Sequence, residues 1–185
     1  MYLITGLGNP GPRFENHRHN VGFVLLDRMA SRHKSGFDRV IEQAQISLLE
    51  YFQEPVLLAK PLRFMNRSGP VVGGLVRRYD IDLEKLLVVY DDIALPLGKI
   101  RVRRSGSSGG QKGMESIIDT LQTQEIPRLR IGIRHGDPPL DYASYVLADF
   151  PRSEAKVLDE VLEHALRATE TILSEGLDKA MAEFN

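Results

Sequence analysis

Leu86-Leu87-Val88-Val89-Tyr90-Asp91-Asp92 is the stretch on which the fold turns. Five consecutive β-favouring apolar residues leave no polar face, so the pattern predicts a central strand covered on both sides, ending at an acidic pair. To its N-terminal side, Ser68 to Tyr79 is spaced as a helix, while Ile41–Phe52 and Val56–Lys60 are predicted as strands. Earlier still, Tyr2–Leu7 is a short buried strand, and Val21 to about Arg32 is a helix with Val21, Val24, Leu25 and Met29 on one face. On the C-terminal side, a strand through Lys99–Arg104 leads into the loop Ser105-Gly106-Ser107-Ser108-Gly109-Gly110. A helix from about Gln111 to Leu121, the strand Arg128–Ile133 and a helical tail from Ser153 follow. Strands alternating with helices predict an α/β fold, a three-layer sandwich around a mixed, largely parallel twisted sheet. No linker, repeat or low-complexity tract interrupts residues 1–185, so one domain is expected.

Composition narrows the chemistry. The chain has no cysteine, which excludes disulfides, thiolate nucleophiles and cysteine-based zinc sites. Hydrophobic residues at 42% and charged residues at 26% are the balance of an ordinary globular protein able to bury a core without staples. Met1-Tyr2-Leu3-Ile4-Thr5 runs straight into apolar sequence without a basic leader. No apolar stretch approaches bilayer length, so the expectation is a soluble, cytoplasmic protein that does not enter a membrane. The net charge is −1, but residues 153–185 carry −5, leaving +4 on the rest. Lys99 to Lys112 holds five cations and no acid, a stripe suited either to solvation or to phosphate.

Several motifs are candidates for a site. Gly6, Gly8 and Gly11 fit G-x-G-x-x-G, but the third glycine leads into the polar stretch Pro12-Arg13-Phe14-Glu15-Asn16 rather than a helix. A dinucleotide site is therefore not expected; the loop instead turns Asn9 into a cleft at the end of the first strand. His19, in His17-Arg18-His19-Asn20, suits proton transfer near neutral pH if a carboxylate orients it, and Asp91 at a strand end is the candidate for that. Alone, each also fits an ordinary loop residue or cap. No G-x-S-x-G occurs, so the chemistry suggested is water activated by a histidine–aspartate pair. In Phe64-Met65-Asn66-Arg67-Ser68-Gly69, the Asn66 amide suits either a helix cap or a substrate carbonyl. The loop Ser105–Gly110 beside Arg101, Arg103 and Arg104 suits a phosphate at a helix N-terminus, without the spacing of a P-loop.

Taken in order, these residues resemble the bacterial-type peptidyl-tRNA hydrolase family. The resemblance rests on Gly6–Gly11, Arg18-His19-Asn20-Val21-Gly22, Phe64–Gly69, Asp91-Asp92, Gly109-Gly110 with Gly113, Arg128–Ile133, Tyr145-Val146-Leu147 and Gly176–Met181, and so spans the chain. It implies a monomeric, cofactor-free and metal-free enzyme that cleaves the ester between a peptide and the tRNA 3′ end. His19 would be the general base, Asp91 its support, and Asn9 and Asn66 the holders of substrate. Phe14, Phe64 and Lys112 would join the substrate-binding set, with Arg101, Arg103 and Arg104 facing acceptor-stem phosphates.

Departures from the family pattern are local. Gln111-Lys112 stands where the family commonly has His-Asn, replacing an amide by a point charge. Phe14 stands for a usual tyrosine, Ala94 for an acid or amide, and His17 for threonine. Two other readings compete: a catalytically silent RNA-binding protein on the same scaffold, and an amide-cleaving peptidase.

Overall fold

A computed structural model describes residues 1–185. The strands are β1 (Tyr2–Gly6), β2 (Arg39–Ile41), β3 (Ala44–Tyr51), β4 (Glu54–Pro61), β5 (Leu86–Pro96), β6 (Ile100–Arg103) and β7 (Arg128–Arg134). The helices are α1 (Val21–Arg32), α2 (Ser68–Tyr79), α3 (Lys112–Leu121), α4 (Tyr142–Val146), α5 (Ala155–Glu175) and α6 (Leu177–Phe184). One seven-stranded sheet runs in the order β2-β3-β4-β1-β5-β7-β6. Its centre, β4-β1-β5-β7, is parallel, and the hairpin strands at either side are antiparallel. The expected mixed, largely parallel α/β sandwich is what forms.

The side-chain alternation of β5 divides the core. Leu87 and Val89 point into a cluster with Leu25 and Leu26 of α1 and Leu162 and Leu166 of α5. Leu86, Val88 and Tyr90 point the other way, onto Val72 and Leu75 of α2 and Met114 and Ile117 of α3. Both faces are therefore sealed, which is why the run contains no polar residue before Asp91. The same alternation carries Asp91 to the α1 side of the sheet. Gly22, in the first turn of α1, fits there only because it lacks a side chain: a Cβ would lie 2.5 Å from the Val89 carbonyl oxygen.

Three boundaries differ from expectation. The strand predicted over Ile41–Phe52 is β3, which starts only at Ala44; Ile41 ends the preceding strand β2, and the chain turns between them at Glu42 and Gln43, which take φ of 49° and 61°. That turn uses left-handed residues other than glycine or asparagine, so its chemistry was not visible locally. The central strand does not end at Asp91-Asp92 but continues to Pro96, with an irregular register between Asp92 and Pro96. The helical tail is broken at Gly176 into α5 and α6. No helix is long and apolar enough to cross a membrane.

Candidate active site

The carboxyl ends of β1, β4 and β5 lie on one edge of the sheet, and the chain leaves the neighbours β1 and β5 in opposite directions, toward β2 on one side and β6 on the other. Clefts form at such points in open α/β sheets. Here the cleft is a cavity of about 580 Å³, whose lining includes Asn9, His19, Met65, Asn66, Asp91 and Gln111. His19 is the middle residue of the short turn Arg18–Asn20 that precedes α1, and Asp91 faces it from β5. Their Nδ1 and Oδ2 atoms are 2.8 Å apart, with Asp91 only 3% exposed. A carboxylate oxygen accepts, so Nδ1 carries the hydrogen and Nε2 keeps a lone pair. Of the two readings open for each residue alone, the geometry selects the paired one.

Asn9 is fixed by three hydrogen bonds. Its backbone N–H donates to Asn20 Oδ1 at 2.9 Å, its carbonyl accepts from Asn20 Nδ2 at 2.9 Å, and its side-chain Oδ1 accepts from Met65 N–H at 2.8 Å. With Oδ1 occupied, Nδ2 remains as a donor. Asn66 is exposed at the cavity and its side chain makes no hydrogen bond within the chain; the Ser68 hydroxyl, not Asn66, ties this turn by donating to Met65 O at 2.9 Å. Gln111 donates from Nε2 to Asp91 Oδ1 at 3.1 Å and caps α3 by accepting from Met114 N–H at 2.7 Å.

Other expected residues take different places. Phe64 lines the cavity while 60% exposed, and Phe14 packs edge-on against it with centroids 6.3 Å apart, outside the cavity wall. Lys112 lines the cavity mouth, but its Nζ lies 2.9 Å from Glu115, which offsets its charge. The opposite wall was not foreseen: Tyr142, Ala143, Val146 and Leu147 of α4 and its end supply apolar surface. Five residues, none of them buried, have no periodicity strong enough to announce a helix; the Asp141 side chain, which accepts from Ser144 N–H, is the only local mark of its start.

Beside the cavity, β6 and β7 pair Arg101 with Arg130 and Arg103 with Arg128. Arg128 is committed to structure, donating to the carbonyls of Gln124, Ile126, Gly106 and Ser107 and so tying down the loop Ser105–Gly110. Gly109 and Gly110 in that loop have φ of 59° and 85°, which side-chain-bearing residues resist. Arg103 and Arg130 line a second depression of about 240 Å³ that shares Tyr90, Ser108, Gly109 and Arg130 with the first. Burial lowers the Arg103 pKa from its ordinary value, and the neighbouring charges of Arg101 and Arg130 add to the shift. Arg130 also pairs with Asp92. Arg104 is drawn away to Asp178 of α6. Arg130 was missed because nothing in Arg128–Ile133 distinguishes one strand arginine from another before the strands pair.

Comparisons agree with this geometry. A sequence model described as peptidyl-tRNA hydrolase matches residues 3–185. The chain is 44% identical to the peptidyl-tRNA hydrolase of a Thermoanaerobacter species, with all of both chains covered. It is 45% identical to that of Carboxydothermus hydrogenoformans, over all of this chain and 98% of the relative. Among solved structures, peptidyl-tRNA hydrolase from Acinetobacter baumannii superposes with a TM-score of 0.93 at 29% identity, covering all of this chain and 94% of that one. The fold, the cleft at the end of β5 and these full-length similarities converge: the chain belongs to the peptidyl-tRNA hydrolase family.

Proposed function

We propose that His19 is the general base of the hydrolysis of peptidyl-tRNA, the activity of the family to which the chain belongs. The observation that carries this is the 2.8 Å contact between His19 Nδ1 and the buried Asp91. It leaves Nε2 as the basic atom of a ring that lines the cavity. Nε2 takes a proton from water as the water oxygen attacks the ester carbonyl, and Asp91 stabilises the imidazolium that results. The tetrahedral intermediate then expels the 3′ ribose oxygen, which recovers the proton from Nε2. Peptide acid and tRNA leave without a covalent enzyme intermediate. Asn9 Nδ2 and the Asn66 amide donate to the carbonyl oxygen and the peptide backbone.

Phe64, with Phe14 behind it, and the apolar side chains of α4 grip the peptide side chains. Lys112 offers a cation at the mouth, shared with Glu115. Arg103 and Arg130 are the best-placed phosphate ligands, because an anion there relieves the crowding of like charges. Arg101 supports them from the same strand face, and Arg104 contributes at most weakly while it is held by Asp178.

The test is to incubate the purified chain with N-acetyl-aminoacyl-tRNA and, separately, with the same acyl residue in an amide-linked peptide. Release from the tRNA ester alone is expected, falling about 10³-fold in His19→Ala. Tight tRNA binding without release favours the silent RNA-binding reading, and cleavage of the free peptide favours the peptidase.

A further inference from the structure

Asp91 has two carboxylate oxygens, and His19 uses only one. An aspartate carboxylate rotates through a broad, nearly two-fold torsion, so a single hydrogen bond to Oδ2 does not fix its plane. The second oxygen is held by Gln111 Nε2 at 3.1 Å, across 20 residues of sequence. The orientation of that amide is decided by its other end. Gln111 Oε1 accepts from Met114 N–H at 2.7 Å in the first turn of α3. Reversing the amide would set Nε2 against an N–H donor and Oε1 against a carboxylate, exchanging two hydrogen bonds for two repulsions.

The α3 end of this arrangement is itself held. Gln111 Nε2 also lies 3.2 Å from Met65 Sδ, and Met65 N–H donates to Asn9. Gly113 packs so tightly that a Cβ would lie 2.5 Å from the same sulfur. The start of α3 is thus registered against the turn that carries Asn9's partner, and Gln111 passes that registration to Asp91.

We propose that Gln111 is a positioning residue of the general-base pair, locking the Asp91 carboxylate through Oδ1 so that Oδ2 meets the His19 ring in one orientation. The proposal rests on the reading of His19 as the base. It gives Gln111 a role distinct from its neighbour Lys112, which is turned to Glu115 at the exposed edge. Gln111 exchanges no proton; its amide is a neutral donor, and its effect reaches the substrate only through Asp91 and His19.

Two substitutions separate this role from the helix cap. Gln111→Ser keeps an N-cap acceptor for Met114 N–H but is too short to reach Asp91. Gln111→Met keeps the length and loses both bonds. Each is compared with the parent by kcat and KM on N-acetyl-aminoacyl-tRNA, by thermal midpoint, and by the downfield proton NMR signal of the His19 Nδ1–H, assigned through its loss in His19→Ala. In both variants kcat is expected to fall about tenfold or more with KM within about twofold, and the imidazole signal to shift or broaden. Gln111→Ser should nonetheless melt close to the parent. A Gln111→Ser protein with parental kcat and an unchanged imidazole signal overturns the proposal, leaving Gln111 as a cap only. If the parent does not hydrolyse the substrate, the functional reading fails, and the imidazole signal in Gln111→Ser still decides for or against the lock.

Discussion

Arg18 and His19 are consecutive, and each meets a buried carboxylate from far along the chain, yet the two pairs are built differently. Arg18 forks onto Glu154, with Nη1–Oε2 and Nη2–Oε1 distances of 2.6 and 3.2 Å. Its guanidinium is sandwiched by Tyr145 and Phe150 at 4.6 and 4.7 Å from the ring centres. Both partners are about 6% exposed. His19 meets Asp91 through one ring nitrogen only, and its other edge is left to the cavity. The first pair is closed on every side and fastens the turn before α1 to the start of α5. The second has its carboxylate saturated and its imidazole half free. Arg18 Nε has no partner, but it is buried, so nothing in the first pair is offered to a ligand, whereas the second keeps one ring nitrogen open to the cavity, as the proposed general base requires.

The sharpest way to break this comparison is to remove one member of each pair. His19→Ala should lose about 10³-fold in kcat while its melting temperature stays near the parent's, since Asp91 lines the cavity and water can take the place of the lost ring nitrogen. Glu154→Ala should reverse the pattern. It strands the Arg18 charge in the interior and is expected to cost about 3–5 kcal/mol in urea unfolding, with activity per folded molecule retained. Parental stability in Glu154→Ala would erase the distinction. A smaller effect is expected at the arginine depression. Arg103→Ala should raise KM several-fold with kcat unchanged, and flatten the salt dependence of kcat/KM by about one unit of slope for one lost phosphate contact.

The smallest effect lies outside both pairs, at His164 on α5. Burial first, and then the charges of Arg167 and Lys99, lower its pKa from the ordinary 6.5. The folded state therefore binds a proton less readily than the unfolded chain. The stability it supports is present above the ordinary histidine range and lost as pH falls through the lowered value. His164→Gln should make stability decline less steeply on acidification, while hydrolysis at neutral pH is unchanged. A parental acid decline in the variant would assign that slope to other groups.

Much of this was legible in the residues themselves. The bounds of α1 and α2 follow from apolar spacing, and β5 from a run too apolar to leave either face wet. Asn9, His19 and Asn66 stand in turns and Asp91 follows an unbroken apolar run, which singles them out, and the resemblance built on their motifs holds across residues 3–185. The β2–β3 turn and the break at Gly176 escaped because a strand or helix pattern continues through them and only backbone conformation marks the change. Composition and periodicity, which are local, settled the sheet, its covering helices and the residue types capable of the chemistry. The residues nominated Asp91 as the partner of His19, 72 positions away; tertiary structure alone decided that they come within bonding distance, that Gln111 takes the other oxygen, and that Arg130 rather than Arg104 stands beside Arg103. Those are choices among equivalent side chains, and only the distances imposed by strand pairing and helix packing make one of them near enough to bond.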